Sequence, residues 1–187
     1  IFKIPLTNNA PDVQIEALIE YQNTIFVVTR KLFYRFDKKT KRLSNISIPK
    51  RYITEKGISH VTRNGDKIWF FSENFVAFNY QISTKQWKEY AVISDAKIET
   101  FVSCSAFDEN NDLWITIHAK GLAKFSEQKQ AFELIKTANE VDFSKIGYFA
   151  MQRDKEGSFW LGSYNLIKFN PNTKTFLSAL EINHFTD

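Results

Sequence analysis

Residues 107–125 read FDENNDLWITIHAKGLAKF. An acidic, Asn-rich turn leads into a tryptophan set among apolar residues, and a Lys-Gly pair then precedes a second apolar segment. Residues 153–169 read RDKEGSFWLGSYNLIKF, so Asp154, Trp160, Leu166 and Phe169 repeat Asp108, Trp114, Leu122 and Phe125 after a shorter turn. A motif that recurs along one chain is architecture before it is a site, and self-similarity at a period of roughly 20 to 50 residues marks a repeat protein.

Working outward, the pattern extends to four copies. The anchor aromatics Phe26, Trp69, Trp114 and Trp160 are separated by 43, 45 and 46 residues. A second aromatic follows about ten positions on, at Phe36, Phe78, Phe125 and Phe169, and a third large apolar residue after that, at Leu43, Trp87, Phe132 and Phe176. Short apolar runs such as Ile68-Trp69-Phe70-Phe71 and Leu113-Trp114-Ile115, bounded by turn residues, are those of buried strands. Each copy therefore reads as four antiparallel strands, the size of a β-propeller blade. One such blade cannot bury both faces, so neighbours must stack on it.

These observations predict an all-β fold: an arc of about four four-stranded antiparallel blades filling residues 1–187 as a single segment. Blade 1 is placed at 10–49, blade 2 at 50–92, blade 3 at 93–137 and blade 4 at 138–182. Residues 1–6 (IFKIPL) read as the outer strand of a preceding blade, and 183–187 as the start of the next connection. A chain that opens on Ile1 and carries such a leftover strand reads as an excised segment of a larger propeller, of about seven blades.

Composition agrees with strands. Eighteen Phe, seven Tyr and four Trp stand against six Gly and four Pro, and aromatic side chains suit a pleated, half-buried surface. The net charge of +4 comes from 25 basic and 21 acidic residues interspersed along the chain, so the basic face that nucleic-acid binding needs is not expected. Cys104 is the single cysteine; it precludes an internal disulfide and leaves the compartment open. No apolar run approaches the roughly 18 residues of a membrane span.

The order of acidic turn, Leu-Trp-Ile, short gap, Gly-Leu and an apolar-basic-aromatic triplet resembles the two-component regulator propeller repeat. Asp112 to Thr116 with Gly121 to Phe125 carries the likeness best, and Ser158 to Ser163 with Leu166 to Asn170 nearly as well. In the first two copies Phe26 replaces the tryptophan, and neither Arg30-Lys31-Leu32 nor Glu73-Asn74-Phe75 keeps the glycine. The resemblance implies the periplasmic sensor region of a histidine kinase, including hybrid two-component systems that respond to glycan fragments. It further implies a ligand-sensing or dimerising scaffold in a membrane-anchored parent that carries the kinase.

Candidate chemistry is sparse. His60, His118 and His184 lie far apart without ligand spacing, so neither a metal site nor a cofactor is expected. The anchors Phe26, Trp69, Trp114 and Trp160 read as packing wedges between blades, the indole N–H tied to a turn. Asp108 and Asp154 resemble a catalytic carboxylate pair, yet both occupy the same turn of successive blades, where Asp accepts bonds from backbone amides. No catalytic residue is assigned. A ligand would be held by loops on one rim, whose candidates are Arg30, Asn74, His118, Lys120, Tyr164 and Asn165 between anchor and third strands, and Arg51 and Tyr52 between blades. Together they offer aromatic faces, amides and charges suited to an oligosaccharide; taken singly, each reads as an ordinary loop residue. The leading reading is a non-catalytic sensor propeller. Its rivals are a lyase resembling the streptogramin lyases, for which the rim offers only His118 as a base, and a protein-interaction propeller. Open blade faces predict self-association.

Overall fold

The computed structural model describes residues 14–53, 55–73, 76–92, 100–139 and 147–178, with only the backbone of Ala91 and Val92. Residues 1–6 and 183–187, and Asn74, lie outside the described residues.

Sixteen strands form four antiparallel four-stranded sheets among the described residues, each in chain order. The first holds β1 (Ile15–Tyr21), β2 (Thr24–Thr29), β3 (Phe33–Asp37) and β4 (Arg42–Ile46). A 3-10 turn at Lys50–Tyr52 leads to β5 (Ile58–Asn64), β6 (Lys67–Ser72), β7 (Val76–Gln81) and β8 (Gln86–Val92). The third holds β9 (Val102–Phe107), β10 (Leu113–Ile117), β11 (Gly121–Ser126) and β12 (Ala131–Leu134). The fourth holds β13 (Ala150–Arg153), β14 (Phe159–Gly162), β15 (Leu166–Asn170) and β16 (Thr175–Ser178). The chain divides into two compact units, the described residues through Glu73 with Ala77–Glu89, and those from Tyr90 onward with Val76.

Local chemistry sets these elements. The hairpins closing β3–β4, β11–β12 and β15–β16 each end on a non-glycine residue in the left-handed region, Lys41, Gln130 and Lys174 at φ 58°, 51° and 58°, and Lys85 does the same before β8 at 57°. Side chains at the start of three of these turns support them. Asp37 Oδ1 accepts from the amides of Lys39 and Thr40 at 2.9 and 2.8 Å, Asn170 Oδ1 from Asn172 and Thr173 at 2.9 and 3.2 Å, and Ser126 Oγ from Lys129 at 3.3 Å.

In the first unit, strand alternation places Phe26 on the face that meets the second sheet, its ring 6.4 Å from Tyr80. Phe33 lies 5.1 Å from Phe70, and Phe70 and Phe78 stack at 5.2 Å with nearly parallel planes. Trp87 closes over Tyr80 at 4.9 Å. Aromatic pairs of this kind contribute about 0.5–1.5 kcal/mol beyond their buried area.

In the second unit, Trp114 is 4% exposed, covered by Phe159 and Phe169 of the fourth sheet at 5.3 and 5.7 Å. Leu122, Tyr148, Leu161, Phe176 and the buried Cys104 complete this core. The last two residues of β8 also pair in parallel with Ala131 and Phe132.

The contacts amend one column of the repeat. Phe36 pairs with Leu43, Phe125 with Phe132 and Phe169 with Phe176, always seven residues apart. In the second sheet the residue seven before Trp87 is Tyr80, which receives Phe26 as Phe169 receives Trp114. Phe78 lies two positions earlier on the same face, stacked against Tyr52 at 4.8 Å.

Candidate functional site

Each sheet has two ends. One carries the turns β9–β10 and β13–β14, and there the two Asp-Trp motifs fold identically. Asp108 Oδ1 accepts from the amides of Asn110 and Asp112, both at 2.9 Å, and its Oδ2 accepts from Trp114 Nε1 at 2.9 Å. Lys124 Nζ approaches Asp108 at 3.2 Å and Asp112 at 2.8 Å, and lies 5.2 Å from the Trp114 ring centroid. Asp154 repeats the pattern with the amides of Glu156 and Ser158 at 3.0 and 2.9 Å, Trp160 Nε1 at 2.9 Å and Lys168 Nζ at 3.2 Å.

Burial pushes both carboxyls up, but the indole, the amides and the lysine outweigh it and hold each below the usual carboxylate range. A carboxylate kept ionised with its lone pairs occupied is poorly placed to act as an acid or base. The nearby depression of about 330 Å³, lined by Asp112, Lys124, Glu127 and Glu133 among others, shares the Lys124–Asp112 ion pair with this clip.

The opposite end carries the turns β10–β11 and β14–β15. His118 opens the first, its ring stacked on Phe101 at 4.9 Å and 19°, while its carbonyl accepts from Thr100 Oγ1 at 2.6 Å. Gly147 lies so close beneath it that a Cβ there would sit 2.7 Å from His118 Cδ2 and 3.3 Å from Phe149 Cζ. Lys120 donates its amide to Ile117 at 3.0 Å and is half-buried. In the neighbouring turn Tyr164 is fully exposed, and Asn165 uses its carbonyl to accept from Ser163 at 3.0 Å, leaving its side chain in solvent. Phe149, 62% exposed, stands at the same end, because its amide bonds Gly162 on the strand leading into that turn. The sequence reading passed over Phe149 among the core aromatics; its place outside the repeat columns was the available signal.

The remaining candidates belong to the first unit. Arg30 is paired with Glu16 at 3.1 Å. Arg51 donates to Tyr52 Oη at 2.8 Å, lies 3.5 Å from Glu89, and stays largely exposed. Tyr52 is 1% exposed and stacked on Phe78, so the structure places its ring in the core, where it has no face to offer a ligand. Asn139, in the link between third and fourth sheets, is also committed: its side chain bonds both the carbonyl and the amide of Phe176, at 2.9 and 3.0 Å. Among the described residues no three His, Cys, Asp or Glu side chains gather to hold a metal ion, and no helix is long and apolar enough to cross a membrane.

Four-stranded antiparallel blades joined through aromatic anchors define a β-propeller. No protein-family model matches the chain, and no curated protein matches it by sequence. Solved structures do resemble it. The extracellular domain of a B. thetaiotaomicron protein described as the hybrid two-component system BT4673 is 20% identical over 85% of this chain and 21% of that one, with a TM-score of 0.64. The extracellular domain of a second such system, BT3049 of the same organism, is 18% identical over 92% of this chain and 25% of that one, at 0.66. YCF48 bound to D1 peptide is 11% identical over 94% of this chain and 57% of that one, also at 0.66. The chain thus spans about a quarter or less of the two bacterial domains, and at these identities the likeness establishes the fold.

Proposed function

We propose that this chain is a non-catalytic segment of the periplasmic sensor propeller of a membrane-anchored hybrid two-component receptor, responsive to glycans. The observation that supports it is the structural likeness to two extracellular domains of such systems, together with a sequence repeat of the same kind. The Asp-Trp clips favour a scaffold over an enzyme, since the two carboxylates in equivalent positions, Asp108 and Asp154, are consumed by structural bonds. Ligand contact falls to the end of the second unit that carries His118, Lys120, Tyr164 and Asn165, with Phe149 as a further aromatic face. A sugar ring stacks on such faces while amides and charges bond its hydroxyls. YCF48, carrying a bound peptide, favours protein recognition as the second reading.

Calorimetric titration with a panel of neutral and anionic oligosaccharides tests the proposal. A binding member should lose about tenfold in affinity on Tyr164→Ala or Lys120→Ala, the loss of one stacking face or charge contact. Binding untouched by both substitutions, or absent across the panel while peptides bind, contradicts the glycan reading.

A further inference from the structure

Among the described residues of the second unit three lysines are half-buried, Lys120, Lys124 and Lys168. The last two lie on strands and each meets two carboxylates, Lys124 at 2.8 and 3.2 Å and Lys168 at 2.9 and 3.2 Å. Lys120 stands at the opposite end, in the β10–β11 turn, and among the described residues no carboxylate lies within ion-pair distance of it. Withdrawing an ammonium from water without a counter-charge costs free energy, and an arriving anion would recover it. The equivalent turn of the first sheet carries Arg30, whose charge is already spent on Glu16.

Two residues before Lys120, His118 is fixed before any ligand arrives. Its amide donates to the Phe101 carbonyl at 3.0 Å, and its own carbonyl accepts at 2.6 Å from the hydroxyl of Thr100, which is buried. Its ring lies on Phe101 and is closed on another side by Gly147, where a Cβ would come within 2.7 Å of Cδ2 and 2.9 Å of Nε2. The ring is half-buried, yet neither of its nitrogens bonds a described residue. An imidazole keeps at least one N–H donor in either charge state, and a donor already held by packing loses little freedom on binding.

We infer that the group received at the β10–β11 turn is an oxyanion carried on a sugar, a uronate carboxylate or a sulfate ester. Lys120 supplies the counter-charge and His118 a hydrogen-bond donor, so the bonds are charge-assisted. Gly147 is the positioning residue, because its missing side chain leaves the space in which His118 lies. This rests on the glycan reading above and names the class of glycan.

Calorimetric titration with three disaccharides of equal size, one neutral, one bearing glucuronate and one sulfated, tests this. The three histidine side chains are followed by NMR in parallel, with His118 assigned from His118→Gln. An acidic disaccharide should bind about tenfold more tightly than the neutral one and shift the His118 signals, and the acidic probe that does so tells carboxylate from sulfate. Lys120→Gln should remove that advantage, while Lys155→Gln, exposed at the other end, should leave it. Gly147→Ala should shift the His118 signals in the ligand-free protein and weaken acidic binding about tenfold. Should that variant not fold, Phe101→Leu loosens the same ring without adding an atom and should act alike. Neutral binding as tight as acidic, or an acidic advantage untouched by Lys120→Gln, overturns this inference and leaves the glycan reading standing. Binding by none of the three overturns both.

Discussion

Asp108→Asn removes a charge while keeping the shape of the side chain, and its effect can be worked from the two oxygens. An asparagine has one carbonyl oxygen for two sets of donors. Turned toward the amides of Asn110 and Asp112, it leaves its NH2 facing the Trp114 indole N–H and the Lys124 ammonium, which are bonded to Oδ2 in the parent. The Asp108 side chain is only 9% exposed and Trp114 is 4% exposed, so little water can replace the lost acceptor. Losing a charge-assisted bond and stranding a buried donor costs about 3 kcal/mol. Asp154→Asn makes the same change where the carboxylate is 21% exposed and Trp160 is only partly buried, and there about 1 kcal/mol is expected because water restores the bonds. Urea unfolding of both variants measures the difference. Combining Asp108→Asn with Trp114→Phe, which deletes the stranded donor, should cost clearly less than the sum of the two single changes. Equal losses at the two aspartates, or a loss below about 0.5 kcal/mol at Asp108, would refute the claim that the neighbouring blade makes the clip matter.

Three further outcomes follow from geometry already described. Lys85→Gly and Lys174→Gly each relieve a left-handed residue at φ 57° and 58°, and a rise in the unfolding midpoint worth about 0.5–1 kcal/mol is expected; a loss would show that the lysine stems contribute more than the strain. Gly57→Ala would put a Cβ 2.5 Å from the Arg30 carbonyl oxygen at φ +82°, whereas Gly65→Ala meets nothing within 4 Å at +53°. The first should cost about 3 kcal/mol or prevent folding and the second about 1 kcal/mol, so similar costs in unfolding experiments would disprove the close approach. Burial holds His60 at about 4, well below its usual 6.5. Because the unfolded chain takes up that proton first, the associated stability, about 3 kcal/mol, is whole above pH 6.5 and lost as pH falls toward 4. His60→Gln should flatten the pH dependence of the urea midpoint in that window, and an unchanged slope would contradict it.

The architecture was legible because each blade writes its anchor, its turns and its outer strand at nearly fixed spacing. Tyr80 escaped the column because a tyrosine and a phenylalanine two apart on one strand share a face, and only the packing of Phe26 separates them. The structural use of Asp108 and Asp154 could be expected from their recurrence, but the capture of Lys124 and Lys168 could not, since that depends on strands meeting side by side. Tyr52 misled for a simple reason: it sits in a linker of Lys and Arg, and nothing in the sequence shows a 3-10 turn folding its ring onto Phe78. The rim was legible as a set of turns. The ion pairs of Arg30 and Arg51 were not, because their carboxylate partners lie on other elements.

Hydrogen exchange of the two indole N–H groups tests most directly whether each blade seals the anchor of the one before it. Both are bonded to a carboxylate at 2.9 Å, but among the described residues only Trp114 is covered by a following sheet. At low protein concentration the Trp114 N–H should exchange only on the timescale of unfolding, and the Trp160 N–H far faster through local opening. Equal rates for the two, or faster exchange at Trp114, would contradict it.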